Sequence, residues 1–269
     1  MELDALLQRL GPWFDRHRRR AWRPITEAGD SLMPCSKFSG TPWVPEGADW
    51  PRCRHCGEPI ALFLQLDLDQ LPERMAGPAG SGLLQFFYCV NGTQECEQAC
   101  EGWSHFSEAH LIRVIRPEGP ARDDLASRFE ATLPSRVITG WEPIDDYPHA
   151  EEFASLGLSI RFDDPSSRTY DRITIECPDV GLFESGLPVA YWNDPGLNRC
   201  VPGDKLGGWP FWIQSAEYPN CLTCGRRMEP VFQIDSEDNL AFMFGDVGCG
   251  HLTRCPDHPD MLAFGWACS

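Results

Sequence analysis

Two stretches of this chain align residue for residue without a gap, and each carries one Cys-x-x-Cys-Gly knuckle. Lys37 to Asp67 reads KFSGTPWVPEGADWPRCRHCGEPIALFLQLD, and Lys205 to Asp235 reads KLGGWPFWIQSAEYPNCLTCGRRMEPVFQID. The pairs Lys37/Lys205, Gly40/Gly208, Pro42/Pro210, Ala48/Ala216, Pro51/Pro219, Cys53/Cys221, Cys56/Cys224, Gly57/Gly225, Gln65/Gln233 and Asp67/Asp235 are identical. Trp50/Tyr218, Leu66/Ile234 and Asp49/Glu217 match in kind. The chain reads as one structural unit used twice, and a repeat of this length has to be recognised before any local propensity is weighed. The unit continues past the aligned blocks: each is followed by a polar turn and a Gly-to-Cys segment of equal length, Gly82 to Cys89 (GLLQFFYC) and Gly248 to Cys255 (GCGHLTRC).

That third cysteine matters because Zn(II) takes four sulfur or nitrogen ligands in a tetrahedron, and a Cys-x-x-Cys knuckle supplies two. In the second copy Cys255-Pro-Asp-His258 supplies the other two, which predicts a site of Cys221, Cys224, Cys255 and His258. In the first copy Cys89 is the matching third ligand and the fourth comes from the loop that follows. Cys53, Cys56, Cys89 and Cys96 form the expected set, with Cys100 as the alternative to Cys96. A redox reading would need the knuckle at a helix N-terminus after a strand, whereas Pro51 and Gly57 frame tight turns. Simple buried thiols would not recur in register. A site closed by four protein ligands leaves no position for water, so the expectation is two structural zinc ions and no metal-dependent hydrolysis. Cys35, Cys177, Cys200, Cys249 and Cys268 have no such pattern and read as core thiols.

Composition narrows the class. The 269 residues suffice for one large domain or two smaller ones. Frequent Gly and Pro, many aromatics and little helical periodicity favour β-rich structure. A formal net charge of −17 argues against nucleic acid, which needs clustered Lys and Arg, and admits a basic protein or peptide partner. Thirteen cysteines, an odd number, fit a reducing compartment better than a disulfide framework. The N-terminus lacks the apolar run of a signal peptide and no stretch reads as a membrane span, so a cytoplasmic location is expected.

Along the chain, Glu2 to Arg20 places Leu6, Leu7, Leu10 and Phe14 at helical spacing, with a basic end. Strands are predicted at 61–68, 83–90 and 111–115, separated by a cysteine-bearing loop at 90–107. Further strands are predicted at 127–133, 172–177, 230–235, 240–244 and 261–267, with a short helix near 150–156. The resulting organisation is a single domain over 1–269, made of repeats at about 33–116 and 205–269 joined by an integral, acidic middle at 117–204. Asp123-Asp124, Asp145-Asp146 and Asp163-Asp164 lie in turn-forming sequence and read as a solvated face rather than paired catalytic carboxylates. No nucleophile elbow, phosphate loop, zincin helix or kinase signature is present, so no enzyme activity is expected.

The Gly-x-Pro segments with aromatics have two readings. Trp43, Trp209, Phe211 and Trp212 could form a rigid apolar shelf for an extended peptide, or plug the core.

The segments KFSGTPWVPEGADWP, LFLQLDL with GLLQFFY, KLGGWPFWIQ and QIDSEDNLAFMFGDVGCGHLTRCPDHP give the chain its resemblance to the YwqG-like family of bacterial proteins, whose function is unassigned. That family is distantly related to programmed cell death protein 2 and the twenty-S rRNA accumulation protein of eukaryotes. Those relatives carry a Cys-x-x-Cys-Gly, a strand ending in Cys and a further Cys, as Cys53, Cys56, Cys89 and Cys96 do here. The resemblance implies a duplicated β-rich fold and a non-enzymatic binding role; in the eukaryotic branch that role is chaperoning a basic small-subunit ribosomal protein.

The expectation is therefore a β-rich α+β fold, an internally duplicated pseudo-two-fold sheet with zinc knuckles and an N-terminal helix. It would bind protein or peptide, with chaperoning of a basic client as the expected form of that role. An immunity or antitoxin protein against a secreted toxin is the alternative, and a thiol redox or metal-dependent enzyme a third.

Overall fold

The computed structural model of the protein describes residues 1–72, 80–91, 93–163 and 171–269. In chain order the elements are α1 (Leu3–His17), β1 (Arg19–Ala28), β2 (Lys37–Phe38), β3 (Ala61–Asp67), β4 (Leu83–Tyr88) and α2 (Thr93–Ala99). There follow β5 (His110–Ile115), β6 (Arg136–Asp146), β7 (Ser159–Phe162), β8 (Arg172–Cys177) and β9 (Leu182–Pro188). The last four are β10 (Lys205–Gly207), β11 (Glu229–Asp235), β12 (Cys249–Arg254) and β13 (Leu262–Ala267). The chain folds as two compact units, each built from three separate segments. The acidic middle, read from sequence as one integral segment, is divided between them.

The larger unit comprises Trp22–Pro143, Gly203–Gly207 and Glu217–Ser269. It is dominated by a ten-stranded sheet in the order β13-β12-β11-β10-β1-β6-β2-β3-β4-β5. Strands β3, β4 and β12 are buried along their whole length, which is why ALFLQLD and LLQFFY read as nearly continuous apolar runs without alternation. Phe63 of β3 and Phe86 and Tyr88 of β4 make one aromatic core with Phe244 and with Phe264 of β13: all five are fully buried, and the Phe86 and Phe264 ring centroids lie 4.2 Å apart.

The two aligned segments have matching local geometry. Lys37 pairs with Gln65 across β2 and β3, and Lys205 with Gln233 across β10 and β11. Each hairpin has its register shift at the same place, between Leu62 and Leu64 and between Pro230 and Phe232. Gly40 and Gly208, which match between the copies, have φ of +81° and +74°, and a side chain on either would collide with a carboxylate, that of Asp30 or Asp146. The amide that follows each glycine donates to that carboxylate: Thr41 N to Asp30 Oδ2 at 2.7 Å, Trp209 N to Asp146 Oδ2 at 2.8 Å.

The smaller unit comprises Met1–Ala21, Ile144–Pro202 and Gly208–Ala216. Here α1 buries Leu6, Leu10, Trp13 and Phe14, spaced so that they share one face of the helix. They pack with Phe153, Leu158 and the inward residues Ile173 and Ile175 of a three-stranded sheet, β7-β8-β9. Trp13 Nε1 donates to the Leu156 carbonyl at 3.1 Å.

Several expected boundaries are corrected. Residues 127–133 turn rather than extend, because Ser127 Oγ accepts the Phe129 N–H and the Phe129 carbonyl accepts both Thr132 N and Leu133 N; the strand begins only at Arg136. Residues 240–244 also leave the sheet: Leu240 and Phe244 are core residues delivered by turns, with Phe242 N donating to Leu240 O. The helix near 150–156 is two short 3-10 turns, Ala150–Glu152 and Ala154–Leu156. Helix α1 ends at His17, short of the expected Arg20, and Arg19 and Arg20 open β1. No helix among the described residues is long and apolar enough to cross a membrane.

One buried imidazole gives the larger unit a pH dependence. Burial holds His110 in its neutral form and drives its pKa down to about 4, although its Nε2 contacts the Ser104 carbonyl at 3.2 Å. The unfolded chain binds this proton near pH ~6.5 and the folded chain does not, so stability falls as pH drops from there toward 4. An NMR titration should find the His110 ring unprotonated at pH 5.5; a midpoint near the ordinary histidine value would refute the burial argument.

Candidate metal centres

Each centre starts from a tight knuckle that turns two sulfurs to one side. In the first, Cys53 N donates to Glu58 O at 2.8 Å and Gly57 N returns to Cys53 O at 3.0 Å. In the second, Cys221 N donates to Arg226 O at 2.8 Å and Gly225 N to Cys221 O at 2.8 Å. Gly57 and Gly225 sit at φ +73° and +71°, the left-handed geometry that closes such a turn. The bridges Arg52↔Pro59 and Asn220↔Arg227 tie the base of each loop.

Strands β4 and β12 then deliver the third sulfur, Cys89 and Cys255, both buried. The fourth donors come from different structures. Cys96 sits on α2, whereas His258 sits in the short turn between β12 and β13. Cys53, Cys56, Cys89 and Cys96 form one group, and Cys221, Cys224, Cys255 and His258 the other; within each, all donor atoms lie within 4.8 Å of one another. Cys96, rather than Cys100, stands with the other three. The Cys100 carbonyl instead accepts a bond from Ser107 Oγ at 2.8 Å.

The spacings fit a tetrahedral ion. Zn–S bonds of ~2.3 Å and Zn–N bonds of ~2.0 Å imply S–S and S–N edges of roughly 3.5–3.8 Å. Cys53 Sγ and Cys96 Sγ are 3.5 Å apart, and Cys56 Sγ and Cys89 Sγ 3.7 Å. In the second centre Cys224 and Cys255 sulfurs lie 3.7 Å apart, while His258 Nδ1 is 3.7 Å from Cys221 and 3.6 Å from Cys255. All thirteen cysteines are free thiols.

Electrostatics point the same way. Burial opposes ionisation of Cys221, but the N–H groups of Cys224 and Thr223 and the neighbouring thiols outweigh it and hold Cys221 at about 6. Cys53 is lowered by the same arrangement, burial being offset by the backbone of Cys56 and His55. Burial and the adjacent sulfurs push Cys96 up, and burial pushes Cys89 to about 11. Cys53 and Cys221 thus ionise more readily than an ordinary thiol, and sulfurs this close need a cation to ionise together. Bound there, a zinc ion would have all four positions filled by protein and would supply a cross-link between knuckle, strand and loop.

Other expected site residues go elsewhere. Trp43, Trp209 and Trp212 are buried, so their rings do not form an exposed peptide shelf. Trp209 Nε1 donates to His17 O at 2.7 Å and Trp212 Nε1 to Glu152 Oε1 at 2.8 Å, while Phe211 is half-buried against His149. The acidic pairs are not a uniform solvated face. Asp124 is exposed and pairs with Arg122, whereas Asp146 is fully buried and accepts N–H groups from Tyr147, Val201 and Trp209. Asp163 accepts the Gly186 N–H at 2.9 Å; Asp164 lies outside the described residues. Cys177, Cys200 and Cys249 are buried as core thiols, and Cys35 and Cys268 half-buried.

Sequence reasoning missed what the repeated Lys and Gln do. Lys37 is fully buried, its Nζ donating to Asp30 Oδ1 at 2.6 Å and to the Ser31 and Thr41 carbonyls. Gln65 Oε1 accepts from Trp43 N and its Nε2 donates to Cys35 O; Gln233 Nε2 donates to Gly203 O. The identity of these residues in both copies was the signal, and it marks an internal polar frame rather than a ligand site.

A family model described as a domain of unknown function (DUF1963) matches residues 36–254, which takes in both knuckles and agrees with the family resemblance read from the sequence. No curated protein matches the chain.

Proposed function

The chain belongs to the family described as a domain of unknown function (DUF1963), and we propose that it is a non-enzymatic protein-binding scaffold stapled by two structural zinc ions. The observation that carries this reading is that both groups supply four soft donors at tetrahedral spacing, leaving no position for a substrate or water. We further propose that the fold is an internal duplication. The common register of Lys37 with Gln65 and of Lys205 with Gln233, and the matching knuckles, support it. The whole would act as one domain.

The partner is a basic protein, drawn by a net charge of −17. Glu118, Asp123 and Glu151 are exposed carboxylates suited to such an encounter, whereas Asp146 and Glu152 are buried and structural. The distant likeness to ribosomal-protein chaperones selects the probe: a basic small-subunit ribosomal protein, titrated at low and high salt against an acidic protein of similar size. Metal analysis should find two zinc ions per chain. Binding to the basic probe should weaken with salt and on replacing Glu118, Asp123 and Glu151 by lysine; binding indifferent to both would sink the electrostatic reading, and fewer than two metals the scaffold reading.

A further inference from the structure

Strands β5 and β13 are the two ends of the ten-stranded sheet, and they approach each other: the His110 and Phe264 ring centroids are 5.8 Å apart. An end strand presents a row of unpaired N–H and C=O groups that a protein has to cover. On β13 the cover comes from the loop that leaves the first centre. Phe264 N donates to His105 O and Trp266 N to Trp103 O, both at 3.1 Å. Bonds from alternate residues of one strand to alternate residues of another segment are the spacing of strand pairing.

Further contacts link α2, β4, the loop and β13. The Trp103 and Trp266 rings meet edge to face at 6.4 Å. Glu97 Oε2 accepts the Tyr88 hydroxyl at 3.0 Å, and that hydroxyl oxygen accepts Trp266 Nε1 at 3.0 Å. Gly265 lies where any Cβ would strike the His105 ring, at 2.7 Å, so the strand carries a glycine at the point of closest approach.

The two centres differ in what their fourth ligand holds. His258 lies inside the turn joining β12 to β13, with Met261 N donating to His258 O at 2.9 Å, so the second centre staples neighbouring strands. Cys96 lies on α2, and the chain runs from it directly into the segment on β13. Ser107 Oγ to Cys100 O at 2.8 Å and Cys89 N to Ala109 O at 2.8 Å close the base of the loop.

We propose that the first centre works a clasp: metal held by Cys53, Cys56, Cys89 and Cys96 keeps residues 103–105 on the free edge of β13, and loss of that metal uncovers the edge. This rests on the reading of the first group as a metal centre. Released, the edge offers the Phe264 and Trp266 N–H groups and an apolar strand, LAFGWA, to solvent.

Amide hydrogen exchange on the full-length protein tests it, with metal content measured on each sample. Alternate N–H groups of a strand point opposite ways, so Phe264 and Trp266 report the clasp while Gly265, facing β12, is the internal control. In Cys96→Ser, or in wild-type protein titrated with a chelator should that variant not fold, Phe264 and Trp266 should exchange at least about tenfold faster with Gly265 little changed. Equal acceleration at Gly265 would mean that the hairpin frays as a whole, and unchanged protection after the metal has left would mean that it holds no clasp; either overturns the proposal. Absence of metal from the wild-type first centre would instead remove the metal reading itself.

Discussion

Replacing Cys255 with serine should release one metal ion and lower the melting temperature of the larger unit by on the order of 10 °C. Cys255 is the sulfur that touches both Cys224 and His258, at 3.7 and 3.6 Å, and it is fully buried at the end of β12. Serine there offers a hydroxyl that binds zinc poorly and leaves Cys221, Cys224 and His258 without a common partner. Loss of a structural metal belongs to the few single-residue effects that exceed about 4 kcal/mol, and 1 kcal/mol moves a unit of this size by ~2–4 °C. Metal analysis beside calorimetry checks both parts: unchanged metal content removes the second centre, and unchanged melting with metal lost removes its structural role.

Lys37→Met should also be damaging, by about 1–3 kcal/mol, although it touches no metal ligand. Lys37 is wholly enclosed, and its ammonium is compensated by Asp30 Oδ1 and two carbonyls. Methionine fills most of the volume but leaves the Ser31 and Thr41 carbonyls without their donor and takes the cation from the partly exposed Asp30 carboxylate, which keeps the Thr41 and Ser31 N–H groups. The pH dependence carries a second signature. Burial alone would raise the Asp30 pKa, but Lys37 and the N–H groups of Thr41 and Ser31 more than offset it, so the group sits below the ordinary carboxylate value. A lowered carboxylate stabilises the fold above pH ~3.9 and ceases to do so as pH falls through its folded value. Lys37→Met should therefore flatten the acid limb of the stability curve, while Asp124→Asn, at an exposed ion pair, should leave melting unchanged. Wild-type stability in Lys37→Met would show that the lysine is not enclosed in solution.

What could be read from the sequence was whatever spacing alone encodes. Both knuckles, the strand-borne third cysteines and His258 stood at metal-ligand intervals, and their donors converge. Cys96 and Cys100 could not be separated, because the segment that carries them read as a loop, whereas Cys96 lies on α2 and Cys100 just beyond it, where the Ser107 bond to Cys100 O helps set the geometry. Strand β1 was hidden because RRAWRPITEA follows a helix and begins with two exposed arginines and then two adjacent buried residues, Ala21 and Trp22, rather than with clean alternation. NLAFMFG read as a strand because its phenylalanines are core residues, yet their backbone turns. The tryptophans beside Gly and Pro gave no sign of orientation: Trp43 is held through its backbone by Gln65 and Gln85, residues of other strands.

The smaller unit gathers α1 from the first residues and its partners from Ile144–Pro202 and Gly208–Ala216. During synthesis the helix therefore emerges long before anything it packs on. At roughly 5–20 residues per second, the face formed by Leu6, Leu10, Trp13 and Phe14 waits on the order of ten seconds or more for its sheet to be translated. Through that interval the nascent chain carries an uncovered apolar helix, and the unit is completed only after most of the larger unit's strands have already left the ribosome.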